Sequence, residues 1–182
     1  MNGRVMAGLA AMVVFAFGAR AQAADWETDF ARASTNAGKS GLYMLLDFTG
    51  SDWCGWCMKL DEEVFSKGEF RKYAKENLIC VTVDFPRQKR LSKKIKDQNA
   101  DLAKKYGVNG YPTIIILSPE GDLVDKTGYQ EGGAKKYVDS LKEMIAAYEK
   151  KHPKKEVKKT LASEKDVKKA PASGKPDAGK GE

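Results

Sequence analysis

Apolar residues fall into short blocks separated by polar and glycine-rich punctuation, and each block has its own period. Trp26, Phe30 and Ala33 recur at i, i+4 and i+7 behind an acidic start, which predicts an amphipathic helix that opens at Asp25 and closes near Gly38 and Gly41. Leu42 to Phe48 is almost continuously apolar, the mark of a strand buried on both faces, and it contains a single acid, Asp47. The turn Thr49 to Asp52 leads into a helix carrying Met58 to Phe65, interrupted at Ser66-Lys67-Gly68 before Glu69 to Glu76 resumes. Leu78 to Asp84 is a second β-branched strand. From about Ser92 to Tyr106 the spacing is loosely helical, with Gly107 as the stop. Thr113 to Ser118 and Leu123 to Tyr129 predict a hairpin around Pro119-Glu120-Gly121-Asp122. Tyr137, Leu141, Met144, Ile145 and Tyr148 line one face of a last helix. The order α-β-α-β-α-β-β-α predicts an α/β domain whose first crossover is right-handed.

The two ends read differently. Met1 to Ala23 has an early arginine, an apolar run from Val5 to Phe17 and Ala21-Gln22-Ala23 in the small-x-small pattern of a cleavage site. The run is shorter than the roughly 20 residues that span a bilayer. The expectation is a cleaved export signal over residues 1–23 and a mature chain in a periplasmic or other extracytoplasmic space, where disulfides persist. Residues 24–150 form the domain. Residues 151–182 lose all periodicity and are rich in Lys, Ala and Pro, which predicts a disordered tail.

Charge sharpens this division. The chain carries +7 overall, but Lys150 to Glu182 holds eleven lysines against five acids, and Arg4 and Arg20 lie in the leader. The stretch between is left at −1, so the basic balance belongs to the tail and gives no reason to expect a specific nucleic-acid-binding fold. The tail is suited to anionic surfaces such as phospholipid head groups; a solvated tail with no partner is the plainer alternative.

The candidate chemistry sits in Trp53-Cys54-Gly55-Trp56-Cys57. Two thiols three residues apart at a helix start make a redox pair, because unpaired N–H groups and the positive dipole end stabilise the attacking thiolate. The rival is half of a zinc site, with Cys80 and His152 as the other candidate ligands. Covalent haem attachment needs a histidine after the second cysteine, where Met58 stands. Cys80 itself, inside an apolar strand, reads as a small core residue.

Asp47, the Trp53-to-Cys57 motif and Gly110-Tyr111-Pro112-Thr113 opening a strand-turn-strand together resemble the thioredoxin superfamily. More narrowly, Asp-Phe-Thr-Gly-Ser-Asp-Trp-Cys is similar to exported bacterial thioredoxin-like proteins. The resemblance covers about Tyr43 to Glu149. It implies a central mixed sheet of four to five strands flanked by helices, and a monomer that exchanges disulfides with protein substrates and a redox partner, without a cofactor or metal. In that scheme an exposed Cys54 attacks and Cys57 resolves. Asp47 relays protons, the Tyr111–Pro112 bond is cis, and Trp53, Gly55, Trp56, Tyr111 and Pro112 meet the substrate. Trp56 stands where thioredoxin has proline and isomerases have histidine; the missing histidine leans the pair toward reduction. A non-catalytic binding module and a metal-binding protein are the alternatives.

Overall fold

The computed structural model describes residues 26–153; the expected export signal and nearly all of the tail lie outside them. Five α-helices, α1 (Phe30–Ser40), α2 (Gly55–Leu60), α3 (Gly68–Asn77), α4 (Lys93–Lys105) and α5 (Gly133–Lys151), accompany strands β1 (Tyr43–Thr49), β2 (Leu78–Asp84), β3 (Thr113–Leu117) and β4 (Leu123–Thr127). The sheet order is β2-β1-β3-β4. β1 pairs with β2 in parallel and with β3 antiparallel, and β3 pairs antiparallel with β4. The result is a mixed, helix-flanked sheet of four strands, as the resemblance implies.

Side chains alternate across a strand, so β1 supplies two cores. Tyr43 and Leu45 enter a cluster with Leu60, Phe65, Phe70, Tyr137 and Leu141 from the α2, α3 and α5 side. Met44, Leu46 and Phe48 enter the opposite cluster with Ala33, Ala37 and Leu102 from α1 and α4. Asp47 continues the first set. Its carboxylate is therefore directed to the face where α2 packs, a consequence of strand parity alone.

The first helix begins later than its apolar spacing predicts. Glu27 is a parallel bridge partner of Val81, its N–H donating to the Cys80 carbonyl at 2.9 Å and its own carbonyl accepting from Thr82 N–H at 2.8 Å. Asp29 then caps α1 by accepting the Arg32 N–H at 3.1 Å. Trp26 and Phe30 consequently part company. Trp26 packs on Phe65 and Phe70, whereas Phe30 joins the cluster across the sheet. An available strand edge wins over helical periodicity here. β4 is also shorter than expected, and Tyr129 leaves the strand to meet the helix opposite.

Between α2 and α3, the expected interruption is preceded by a π-helical segment, Asp61–Phe65. The Ser66 N–H reaches back five residues to the Asp61 carbonyl at 2.8 Å. This one wide turn keeps Val64 and Phe65 in the core while Asp61 stands at the surface.

Candidate active site

The strand registers bring three chain segments to one end of the sheet. Thr49, the last residue of β1, pairs with Asp84, the last of β2, and Phe48 pairs with Thr113, the first of β3. The loop into Cys54, the loop after β2 and the Tyr111–Pro112 turn therefore share an edge. The Tyr111–Pro112 peptide is cis.

Asp84 fixes the first loop, accepting the Ser51 N–H at 2.9 Å and the Ser51 hydroxyl at 2.6 Å. The Gly50 carbonyl accepts from Trp53 N–H at 3.2 Å and Cys54 N–H at 2.9 Å. Gly50 has a second duty, because a Cβ there would come within 2.4 Å of the Trp53 indole. Gly50→Ala is expected to expel that ring at a cost of about 1–3 kcal/mol. A shift in tryptophan emission with a lowered denaturation midpoint is the measurement that checks it; an unchanged emission spectrum would refute the contact.

Cys54 is the N-cap of α2 and Cys57 its third residue. They form a disulfide with Cα atoms 5.3 Å apart. The Cys57 N–H points at Cys54 Sγ, 3.2 Å away. On reduction that N–H and the helix N-terminus favour negative charge on the first sulfur. The expected exposure of Cys54 is not found. Cys54 is 7% exposed and Cys57 5%, so the two residues differ in their place along the helix and hardly in their overall cover. The adjoining Trp53 packs inward, donating its indole N–H to the Phe85 carbonyl at 2.8 Å.

Beneath the pair lies a cavity of about 330 Å³ lined by Cys57, Asp47, Asp61, Thr82, Ser51 and Trp26, among others. Asp47 as a residue is only partly covered, yet its Oδ1 is shut off from solvent and meets no donor from the protein. Burial, together with the nearby charges of Asp61 and Asp84, pushes its pKa up to about 7. Such a carboxyl exchanges protons near neutrality, and the cavity is roomy enough for water to connect it to Cys57.

Two aromatic groups frame the disulfide. On one side Trp53 packs edge-on against Tyr111, centroids 5.7 Å apart, and Tyr111 packs on Phe85 at 5.4 Å. Trp53 thereby links the cysteine loop to the Pro112 turn. On the other side Trp56 is 58% exposed and leans on Tyr129. Lys59 Nζ lies 5.1 Å from both ring centroids, and the Tyr129 hydroxyl donates to Glu63 at 2.6 Å. Gly55 is exposed, with open space where a Cβ would stand.

Asp52, close to Cys54 in sequence, does not face the sulfur. Its carboxylate accepts three backbone N–H groups, from Arg87 at 2.9 Å, Gln88 at 2.8 Å and Lys89 at 3.1 Å, and these bonds lower its pKa. Asp84, Asp61 and Tyr129 go unnoticed in the sequence because the groups they act on, Ser51, Asp47 and Glu63, are remote along the chain, and Gly50 reads there only as a turn residue because the ring that fills its missing Cβ is seen in the structure alone. The other two zinc candidates are placed elsewhere. Cys80 is buried in β2, its pKa raised by burial to about 12, and His152 stacks on Tyr148 at the end of α5. Among the described residues no three His, Cys, Asp or Glu side chains are grouped to hold a metal ion.

Comparison with known proteins bears on this geometry. Residues 30–145 match a family model described as a thioredoxin-like domain. The disulfide bond reductase DsbH of Chlamydia pneumoniae is 32% identical over 120 residues, 66% of this chain and 72% of that protein. The thioredoxin-related protein DsbJ of the same organism is 35% identical over 103 residues, 57% of this chain but only 30% of that protein. A solved DsbH oxidoreductase structure superposes with a TM-score of 0.66 at 28% identity, covering 80% of this chain and 95% of its own. A Thermus thermophilus thioredoxin, at 15% identity and a TM-score of 0.54 over 70% of this chain and 91% of its own, shares the fold.

Proposed function

The chain belongs to the thioredoxin-like domain family, and on that footing we propose that it is an exported disulfide reductase acting on protein substrates. The observation that carries the reading is Cys54 at a helix N-cap, disulfide-linked to Cys57, with a buried carboxyl sharing a cavity with the second sulfur. The reduced Cys54 thiolate attacks a substrate disulfide; one substrate sulfur leaves as a thiolate and takes up a proton. Cys57 then gives its proton to ionised Asp47 through the cavity and attacks Cys54, releasing the second substrate sulfur. Two electrons have passed to the substrate, and the Cys54–Cys57 disulfide remains for a thiol donor to reduce.

The direction rests on the absence of histidine between the cysteines and on the likeness to a protein named as a reductase. Residues 1–23 act as the export signal in this scheme. Among the described residues no helix is long and apolar enough to cross a membrane. The domain works as a monomer, and Trp53, Gly55, Trp56, Tyr111 and Pro112 form the substrate surface. Equilibration with glutathione redox buffers tests the direction. A Cys54/Cys57 potential below about −200 mV is expected, on the thioredoxin side of the scale. A value near or above about −150 mV, toward the strong oxidants, would overturn it.

A further inference from the structure

The loop that leaves β2 runs beside the disulfide and carries Arg87, Lys89 and Arg90, all exposed. Its backbone is pinned by the three N–H bonds to Asp52. The Arg87 guanidinium lies 4.1 Å above the Trp53 ring, one residue from Cys54. Lys89 Nζ donates to Ser51 Oγ at 3.2 Å. Asp52 bonds the backbone of this loop and Asp84 bonds Ser51, so neither carboxylate makes an ion pair with the three side chains, although both offset part of their charge. None of the three cations forms an ion pair with a described residue, in contrast to Lys93 with Asp97 and Lys94 with Asp29 a few residues further on.

We propose that this pinned loop is a reader of acidic flanks, so that disulfides whose cysteines adjoin Asp or Glu are the preferred substrates. The proposal deepens the reductase reading and rests on it. Unpaired cations held on a rigid backbone steer carboxylates without first paying for loop ordering, and guanidinium groups take carboxylates in a two-point fork. Their position favours a peptide over a membrane surface. Arg87 covers Trp53, whose ring meets Tyr111 beside the disulfide, and Lys89 reaches Ser51 of the same cysteine loop.

Three disulfide-linked peptides, identical except for Asp, Asn or Lys beside the cysteine, test it with the reduced full-length protein by stopped-flow tryptophan fluorescence. At low salt the Asp peptide is expected to react about tenfold faster than the Lys peptide, with Asn between. The ratio should shrink toward one at high salt, where screening shortens the Debye length, and in the triple variant Arg87→Gln, Lys89→Gln, Arg90→Gln. Equal Asp and Lys rates in the unaltered protein, or a preference that survives in the triple variant, would overturn the proposal. If the variant fails to fold, the salt dependence of the unaltered protein decides. Equal peptide rates together with cation-dependent sedimentation on phosphatidylglycerol vesicles would reassign the loop to lipid. No reaction with any of the three peptides would instead sink the reductase reading, and this proposal with it.

Discussion

Cys54→Ser should bring disulfide reduction down to the uncatalysed background, while Cys57→Ser should retain a single attack and then stop. The asymmetry follows from the helix start. Cys54 caps α2 and receives the Cys57 N–H, so its thiolate is the stabilised one and its loss removes the nucleophile. Cys57 is inside the first turn and in the proposed mechanism acts only on the mixed disulfide. Its serine variant should accumulate a covalent adduct, seen as a mass increase equal to one substrate chain and released by excess dithiothreitol. An adduct on Cys54→Ser but not on Cys57→Ser would reverse the assignment. Because exposure scarcely separates the two sulfurs, this trapping result carries the distinction.

The second large effect is expected at Asp47, in two directions at once. An unfolded aspartate ionises near 3.8 while the buried one holds its proton to about 7. Between those values the native state binds more protons than the unfolded state, so stability falls as pH rises through the window and the whole penalty stands above it. That penalty corresponds to roughly 4 kcal/mol. Asp47→Asn removes the titration but keeps a buried amide with its own desolvation cost. A net gain on the order of 2 kcal/mol is therefore expected at pH 8, and none near pH 3. Urea denaturation at the two pH values reads it. The same variant should turn over about a hundredfold more slowly, the usual range for losing a positioned proton acceptor, with the slowing confined to release of the mixed disulfide. A variant neither more stable at pH 8 nor slower in that step would show Asp47 to be an ordinary core residue.

The redox pair and the separate strands and helices were legible because each is local, whereas the mixed pairing of the sheet came from the resemblance to the thioredoxin superfamily. Cysteine spacing, the unbroken apolar run of β1 and the Gly and Pro punctuation each speak for a few neighbouring residues. What stayed hidden is long-range. The bridge of Glu27 to β2 overrode a good helical period, since backbone pairing at an open sheet edge leaves no trace in i, i+4 spacing. The turns of Asp84 to Ser51 and of Asp52 to Arg87 depend on two strands ending side by side. The low exposure of Cys54 reflects neighbours set by the whole sheet edge, which motif spacing does not encode.

The wide turn at Asp61–Phe65 sets the angular phase of the segment that carries the cysteines. Each residue of a regular helix advances the direction of its side chains by about 100°. The wide turn fits one more residue into the circuit, so Phe65 joins Val64 on the face that Cys57 and Leu60 already bury. Two adjacent core anchors in place of one fix the rotation of Gly55–Leu60 about its axis, and with it the side on which Cys57 meets the cavity of Asp47.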